Sequence, residues 1–282
     1  MKEVKVGKIT VGKMHPPVLI AGPCVIESLD LLLSTGERIR ELAGRYGFPF
    51  ILKSSFEKAN RTSKDSYRGP GLAVGLEHLS KARSELGVPV LTDIHLPSQA
   101  ERAAKVVDCL QIPAFLSRQT ELIEVAAATG LPINIKKGQF MAPASMHHAV
   151  DKAQSAGSGG VMVTERGTMF GYGDLIVDMR SLAIMSDFEV PVIFDATHSL
   201  QKPGSGTRTG GDRRFIKPLA RAAAATGAVD GIFLEVHPNP QGALSDADSQ
   251  LPLEELASLL EQLRQVFDAV GRGSSPGSGA NP

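Results

Sequence analysis

A chain of 282 residues, 42% hydrophobic and 21% charged, can bury one large core, and its length suits two small domains or one α/β barrel. Its 30 basic and 30 acidic residues cancel, which removes the electrostatic case for nucleic acid or an anionic membrane as a partner. The start MKEVKVGKITVGKM lacks a signal-peptide core, no apolar run approaches the ~18 residues of a bilayer span, and two cysteines cannot make a disulfide framework, so a soluble protein of the reducing cytoplasm is expected.

In chain order, VKVGKITVG reads first as a β-hairpin with Gly-Lys at its turn, suited to plugging a barrel floor. Eight short apolar, β-branched runs follow: PVLIAGPC from 17, FPFILKSSF from 48, PVLTDIH from 89, VDCLQIPAF from 107, PINIKKGQ from 132, GGVMVTERG from 159, PVIFDATH from 191 and GIFLEVHP from 231. Continuous apolar runs without alternation are what strands buried on both faces look like. Between them lie amphipathic helical patterns such as LDLLLSTGERIRELAGRYG, GLEHLSKARSELG and QTELIEVAAATG, each stopping at Gly, and PLEELASLLEQLRQVFDAV closes the series. Eight strand–helix units over residues 1–270 predict a single α/β domain, a (β/α)8 TIM barrel with an N-terminal hairpin. The Gly/Ser/Pro tail over 271–282 has no core-forming residues and is expected to be disordered.

Nearly every run stays apolar until its last residues and then turns polar: Cys24, Lys53 to Lys58, Asp93 and His95, Gln111, Lys136, Arg166, His198 and Glu235. In such barrels the C-terminal strand ends face the catalytic mouth, so the distribution predicts an enzyme. Lys53, Lys58, Lys136 and Arg166 would converge there and repel one another unless an anion, a phosphate or carboxylate, lies among them. The plainer reading pairs each with a nearby acid, for which Asp93, Glu57 and Glu165 are at hand. The loop KANRTS, 58–63, offers Arg61 with the hydroxyls of Thr62 and Ser63 as a second phosphate site, although such loops are commonly plain turns.

Strands eight and one are neighbours in a closed barrel, so Cys24, His198, Glu235 and Asp246 (from ALSDADSQ) can meet although far apart in sequence. A thiolate, an imidazole and two carboxylates suit a divalent transition metal such as zinc, iron or manganese. A buried packing role for Cys24 is the competing reading, and packing is what the mid-strand Cys109 suggests.

The segments AGPCVIES, KSSFEKANRTS, TDIH, QIPAFLSRQT, IKKGQF, TERGTMFGYGDL, FDATHS and HPNPQGALSDADSQLPL together resemble the 3-deoxy-D-manno-octulosonate 8-phosphate (KDO8P) synthase family, over about nine-tenths of the chain. That resemblance implies condensation of phosphoenolpyruvate with D-arabinose 5-phosphate and water, giving KDO8P and phosphate for lipopolysaccharide biosynthesis. The family divides into metal-dependent members with Cys in the GPC position and metal-free members with Asn there. Cys24 therefore implies the metal-dependent class, with Cys24, His198, Glu235 and Asp246 as ligands. Lys53, Lys58, Gln111, Lys136 and Arg166 match the positions that hold phosphoenolpyruvate. Asn60, Arg61, Thr62 and Ser63 match the arabinose 5-phosphate loop. An arginine from a neighbouring subunit, here Arg118, reaches the same sugar phosphate, which implies a homotetramer. Lys58, Asp93, His198 and Asp246 are the catalytic candidates, and SLQKPGSGTRTGGDRR, 199–214, resembles the loop that covers the mouth. Against a 3-deoxy-arabino-heptulosonate 7-phosphate (DAHP) synthase using erythrose 4-phosphate stands KANRTS in place of a KPRT-type loop. A sialic-acid-type synthase would not need Arg61 with Arg118, and a non-catalytic sugar-phosphate-binding barrel would not need metal ligands.

Overall fold

Aliphatic runs that are apolar on both faces need cover on both sides, and this chain supplies it by closing eight of them into a parallel barrel wrapped in eight helices. The structure, a computed structural model, describes residues 3–60, 66–203 and 210–272. The barrel strands are β1 (Val18–Gly22), β2 (Phe50–Lys53), β3 (Val90–Asp93), β4 (Cys109–Ile112), β5 (Ile133–Lys136), β6 (Val161–Glu165), β7 (Val192–Asp195) and β8 (Gly231–His237). The helices are α1 (Leu29–Arg45), α2 (Leu72–Leu86), α3 (Pro97–Ala104), α4 (Thr120–Ala128), α5 (His147–Ser155), α6 (Arg180–Ser186), α7 (Ile216–Ala225) and α8 (Leu256–Ala269). Each strand pairs in parallel with the next, and β8 returns to β1 from Gly231↔Val18 to Glu235↔Gly22. This is the TIM barrel that the strand arithmetic predicts. Among the described residues no helix is long and apolar enough to cross a membrane.

The helices bury the stripes their spacing dictates. In α1 these are Leu32, Thr35, Gly36, Ile39, Leu42 and Ala43, and Ser28 caps the helix by accepting from the Leu31 amide at 3.1 Å. The expected hairpin is present, Val4–Val6 against Ile9–Val11, turning through Gly7 in the left-handed region at φ 54°. Its Val4, Val6 and Val11 join Ile20, Ile51, Leu91, Cys109, Met162, Ile193 and Phe233 in one buried cluster inside the barrel. The plug lies at the N-terminal end, where Gly7 approaches Pro89 and Val4 packs at Gly160. Cys109 is packing, as its mid-strand place suggests: burial pushes its thiol far up, out of reactive range.

Two aspartates clip strand starts at that same end. Asp108 accepts from the Val90 amide at 2.9 Å and pairs with Arg83, while Asp230 accepts from the Val192 amide at 2.9 Å and from Arg272 at 2.6 Å. The second pair is almost wholly buried. Removing one partner strands the other charge, so Arg272→Ala is expected to cost about 3–5 kcal/mol of stability. The measurement is a urea titration: the midpoint should fall with little change of slope, and an unmoved midpoint contradicts the clip.

Candidate active site

The site follows from how β1 ends. A Cβ on Gly22 would stand 2.1 Å from the Lys53 carbonyl oxygen, so only glycine lets the end of β1 run this close to β2, and Pro23 then turns the chain to present Cys24 inward. The other strand ends deliver their polar groups to the same mouth. Lys53, Asp93 and Lys136 close β2, β3 and β5, Gln111 points in from β4, and Arg166 follows β6. They line a cavity of about 590 Å³ together with Lys58, His198 and Asp246.

The lysines in this cavity are not bare. Lys53 Nζ donates to Glu235 at 3.2 Å, to the Cys24 carbonyl at 3.1 Å and to Ser55 at 3.0 Å, and lies 3.9 Å from Asp93. Lys58 reaches the same Glu235 oxygen at 3.5 Å, and Lys136 bonds Asp195. Of the three acids available on sequence grounds only Asp93 serves, because Glu57 pairs with Arg68 and Glu165 with Lys137. Arg166 differs: one guanidinium nitrogen donates to Gln201 at 2.7 Å, and its buried Nη1 has no hydrogen-bond partner among the described residues. Burial brings Lys136 down to about 8 despite the opposing pull of Asp195.

Directly beside these lysines, one ligand atom each from Cys24, Glu235 and Asp246 lies within 4.8 Å of the others, and Asp246 lines the cavity. The Cys24 thiol donates to Asp246 at 3.0 Å. Burial, then Asp246 and Glu235, raise its pKa well above the usual range, so the thiol keeps its proton until a cation takes that proton's place. Glu235 behaves oppositely: burial favours its neutral form, but His198, Lys58 and Lys53 outweigh it and hold the group ionised. Its Oε2 is buried without a hydrogen-bond partner among the described residues, an oxygen left over for a cation. His198 stands outside that group of three, with Nε2 3.4 Å from Glu235 Oε1. The structure thus gathers three of the four expected ligands and sets the fourth against one of them. Asp246 has a left-handed backbone, φ 48°, a costly conformation for a residue with a Cβ and one that clusters at functional sites.

Sequence reasoning missed Asp195. It is fully buried and accepts from the amides of Thr197 and His198, from the Thr197 hydroxyl, from Lys136 and from His198 Nδ1 at 2.7 Å. A carboxylate on Nδ1 fixes the His198 ring so that Nε2 faces Glu235. The signal was present in FDATH, a carboxylate three residues before the histidine. Asp195→Asn is expected to weaken whatever His198 serves by about 10–100-fold, checked by metal affinity and turnover side by side. Also missed were Gln250, which accepts from the Cys24 amide at 3.3 Å, and Gln201, which bridges Arg166 and Asp246.

Asn60 lines the cavity, while Arg61, Thr62 and Ser63 lie outside the described residues, as do 204–209 of the covering-loop segment and 273–282 of the tail. Arg118 does not reach this cavity. It is exposed and lines a separate one of about 650 Å³, beside Phe140, His148 and Lys152.

The DAHP synthetase I family model matches residues 2–272. Similar curated proteins include the 2-dehydro-3-deoxyphosphooctonate aldolase of Trichlorobacter lovleyi, 51% identical over 96% of this chain and 99% of that protein. Those of Alkalilimnicola ehrlichii and Acidithiobacillus ferrooxidans are each 53% identical, covering 93% and 92% of this chain and 95% and 92% of their own lengths.

Proposed function

The chain belongs to the DAHP synthetase I family, and we propose that within it the protein acts as a KDO8P synthase, condensing phosphoenolpyruvate with D-arabinose 5-phosphate and water to give KDO8P and phosphate. One observation carries the reading: near full-length relatives at 50–53% identity bear the name of that activity rather than that of the erythrose 4-phosphate enzyme. The cationic side of the cavity supports it, since both substrates are anions.

In this reading Lys53, Lys58, Gln111, Lys136 and Arg166 hold the carboxylate and phosphate of phosphoenolpyruvate. Asn60, Arg61, Thr62 and Ser63 receive the sugar phosphate, and Arg118 completes that site from a neighbouring subunit of a tetramer. Its exposure, away from its own chain's cavity, fits such a role. C3 of phosphoenolpyruvate bonds the aldehyde carbon, whose oxygen takes a proton. Water adds at C2 and gives up a proton, and the C2–O bond breaks to release phosphate. Lysines and Arg166, fixed before substrate arrives, stabilise the charge that shifts through phosphoenolpyruvate. Lys58, in the loop after β2, and Asp93, at the end of β3, face the cavity and are the proton donor and acceptor we assign, with His198 and Asp246 beside them. Cys24, Glu235, Asp246 and His198 would hold a divalent zinc, iron or manganese ion, which when bound supplies Lewis-acid polarisation to a coordinated oxygen. The donor set fits: soft sulfur, hard oxygens and an imidazole already oriented by Asp195. Two buried free thiols are consistent with a cytoplasmic setting.

Turnover with the two sugar phosphates is the test. Phosphate release with phosphoenolpyruvate and arabinose 5-phosphate should far exceed that with erythrose 4-phosphate, and the reverse preference overturns the assignment.

A further inference from the structure

We propose that the start of α5 carries a second, surface site for a divalent transition cation, built from His147, His148 and Asp151 and separate from the Cys24 cluster. One ligand atom from each lies within 4.8 Å of the other two, and all three residues are exposed. Asp151 lies four residues after His147 and three after His148, so each imidazole shares a side of the helix with the carboxylate.

The His147 ring is already set for the task. Its Nδ1 lies 2.7 Å from the Ala144 carbonyl oxygen, a contact that requires the proton on Nδ1 and leaves the lone pair on Nε2. A backbone carbonyl on the second ring nitrogen is the usual way a metal-binding imidazole is oriented. Ala144 belongs to the single turn Pro143–Met146 that leads directly into α5, so anchor and ligands move as one unit. Two more rings restrain the cluster: His148 at 3.7 Å and Phe188 at 6.1 Å from the His147 centroid. Among the described residues none of the three enters an ion pair, although Arg118 and Lys152 line the same cavity as His148 and Asp151. Two imidazole nitrogens and one carboxylate oxygen leave room for water and select zinc, cobalt, nickel or copper over magnesium or calcium, which prefer oxygen throughout.

The test is a zinc titration of the chelator-stripped full-length protein, followed by elemental analysis after gel filtration. The wild type should retain a second equivalent per chain that the His147→Ala/His148→Ala variant loses. Asp151→Asn should weaken that equivalent by more than the about 10-fold typical of losing an outer partner. Cys24→Asn should lose the other equivalent and keep this one. Cobalt separates the sites by colour, because only a Cys24-bound ion gives a thiolate charge-transfer band. Circular dichroism confirms that the exposed substitutions leave the fold intact. Equal stoichiometry and affinity in wild type and double-alanine variant overturn the proposal, as does retention only in large metal excess. Loss at α5 with unchanged metal in Cys24→Asn leaves this site standing and removes the Cys24 ligand set instead.

Discussion

Cys24→Asn is expected to strip the central metal and most of the activity with it. The substitution removes the one soft donor from a group whose other members are oxygens and an imidazole, and the ion's preference goes with it. Losing a partner that merely orients a ligand costs 10–100-fold, so losing this ligand should weaken binding by at least about 100-fold. Asparagine also leaves Asp246 without the thiol that now donates to it. Elemental analysis of protein purified without added metal, compared between wild type and variant, gives the answer; equal contents would remove Cys24 from the ligand set. The circular dichroism spectrum should be unchanged, because the fold at this point depends on Gly22 rather than on the sulfur.

Arg166→Met should lower kcat/KM for phosphoenolpyruvate by about 10²–10³-fold, the range for losing one preorganised donor. Arg166 is the mouth cation whose second nitrogen, Nη1, is buried with nothing to bond among the described residues, while Lys53, Lys58 and Lys136 each hold a carboxylate. An anion seated against Arg166 would give that nitrogen the partner it lacks, without displacing an internal one. Arg166→Lys should recover little, since an ammonium cannot both reach Gln201 and offer a second parallel bond. Steady-state kinetics with phosphoenolpyruvate varied at saturating sugar phosphate decide the matter, and a change of less than about 10-fold would contradict the role.

The barrel was legible because parallel strands buried on both faces leave short apolar runs without alternation, here eight of them separated by helical patterns, and each expected run holds one of β1 to β8. The mouth was legible for the same reason inverted: Lys53, Asp93, Lys136 and Glu235 are polar residues that finish or interrupt apolar strands. What sequence could not supply was pairing across the barrel. Glu235 was expected beside Cys24, His198 and Asp246, yet the barrel also brings Lys53 and Lys58, about 180 positions away, onto its oxygen. Asp195 went unnoticed because Lys136 on β5 becomes its neighbour only when the strands close, while His198, three residues on, was read for its imidazole alone.

The hairpin, Asp108 and Asp230 all sit at the end of the barrel opposite Cys24 and Arg166. The floor and the mouth are consequently housed at opposite poles and joined through Phe233, which packs in the hairpin cluster and lies with its ring centroid 3.5 Å from Lys136 Nζ. Substitutions that tighten the hairpin valines against their bed of Ile20, Ile51, Leu91 and Met162 should raise the melting temperature while the reacting groups keep their positions. Drift in sequence at that pole costs the organism durability, whereas drift at the other costs it a reaction.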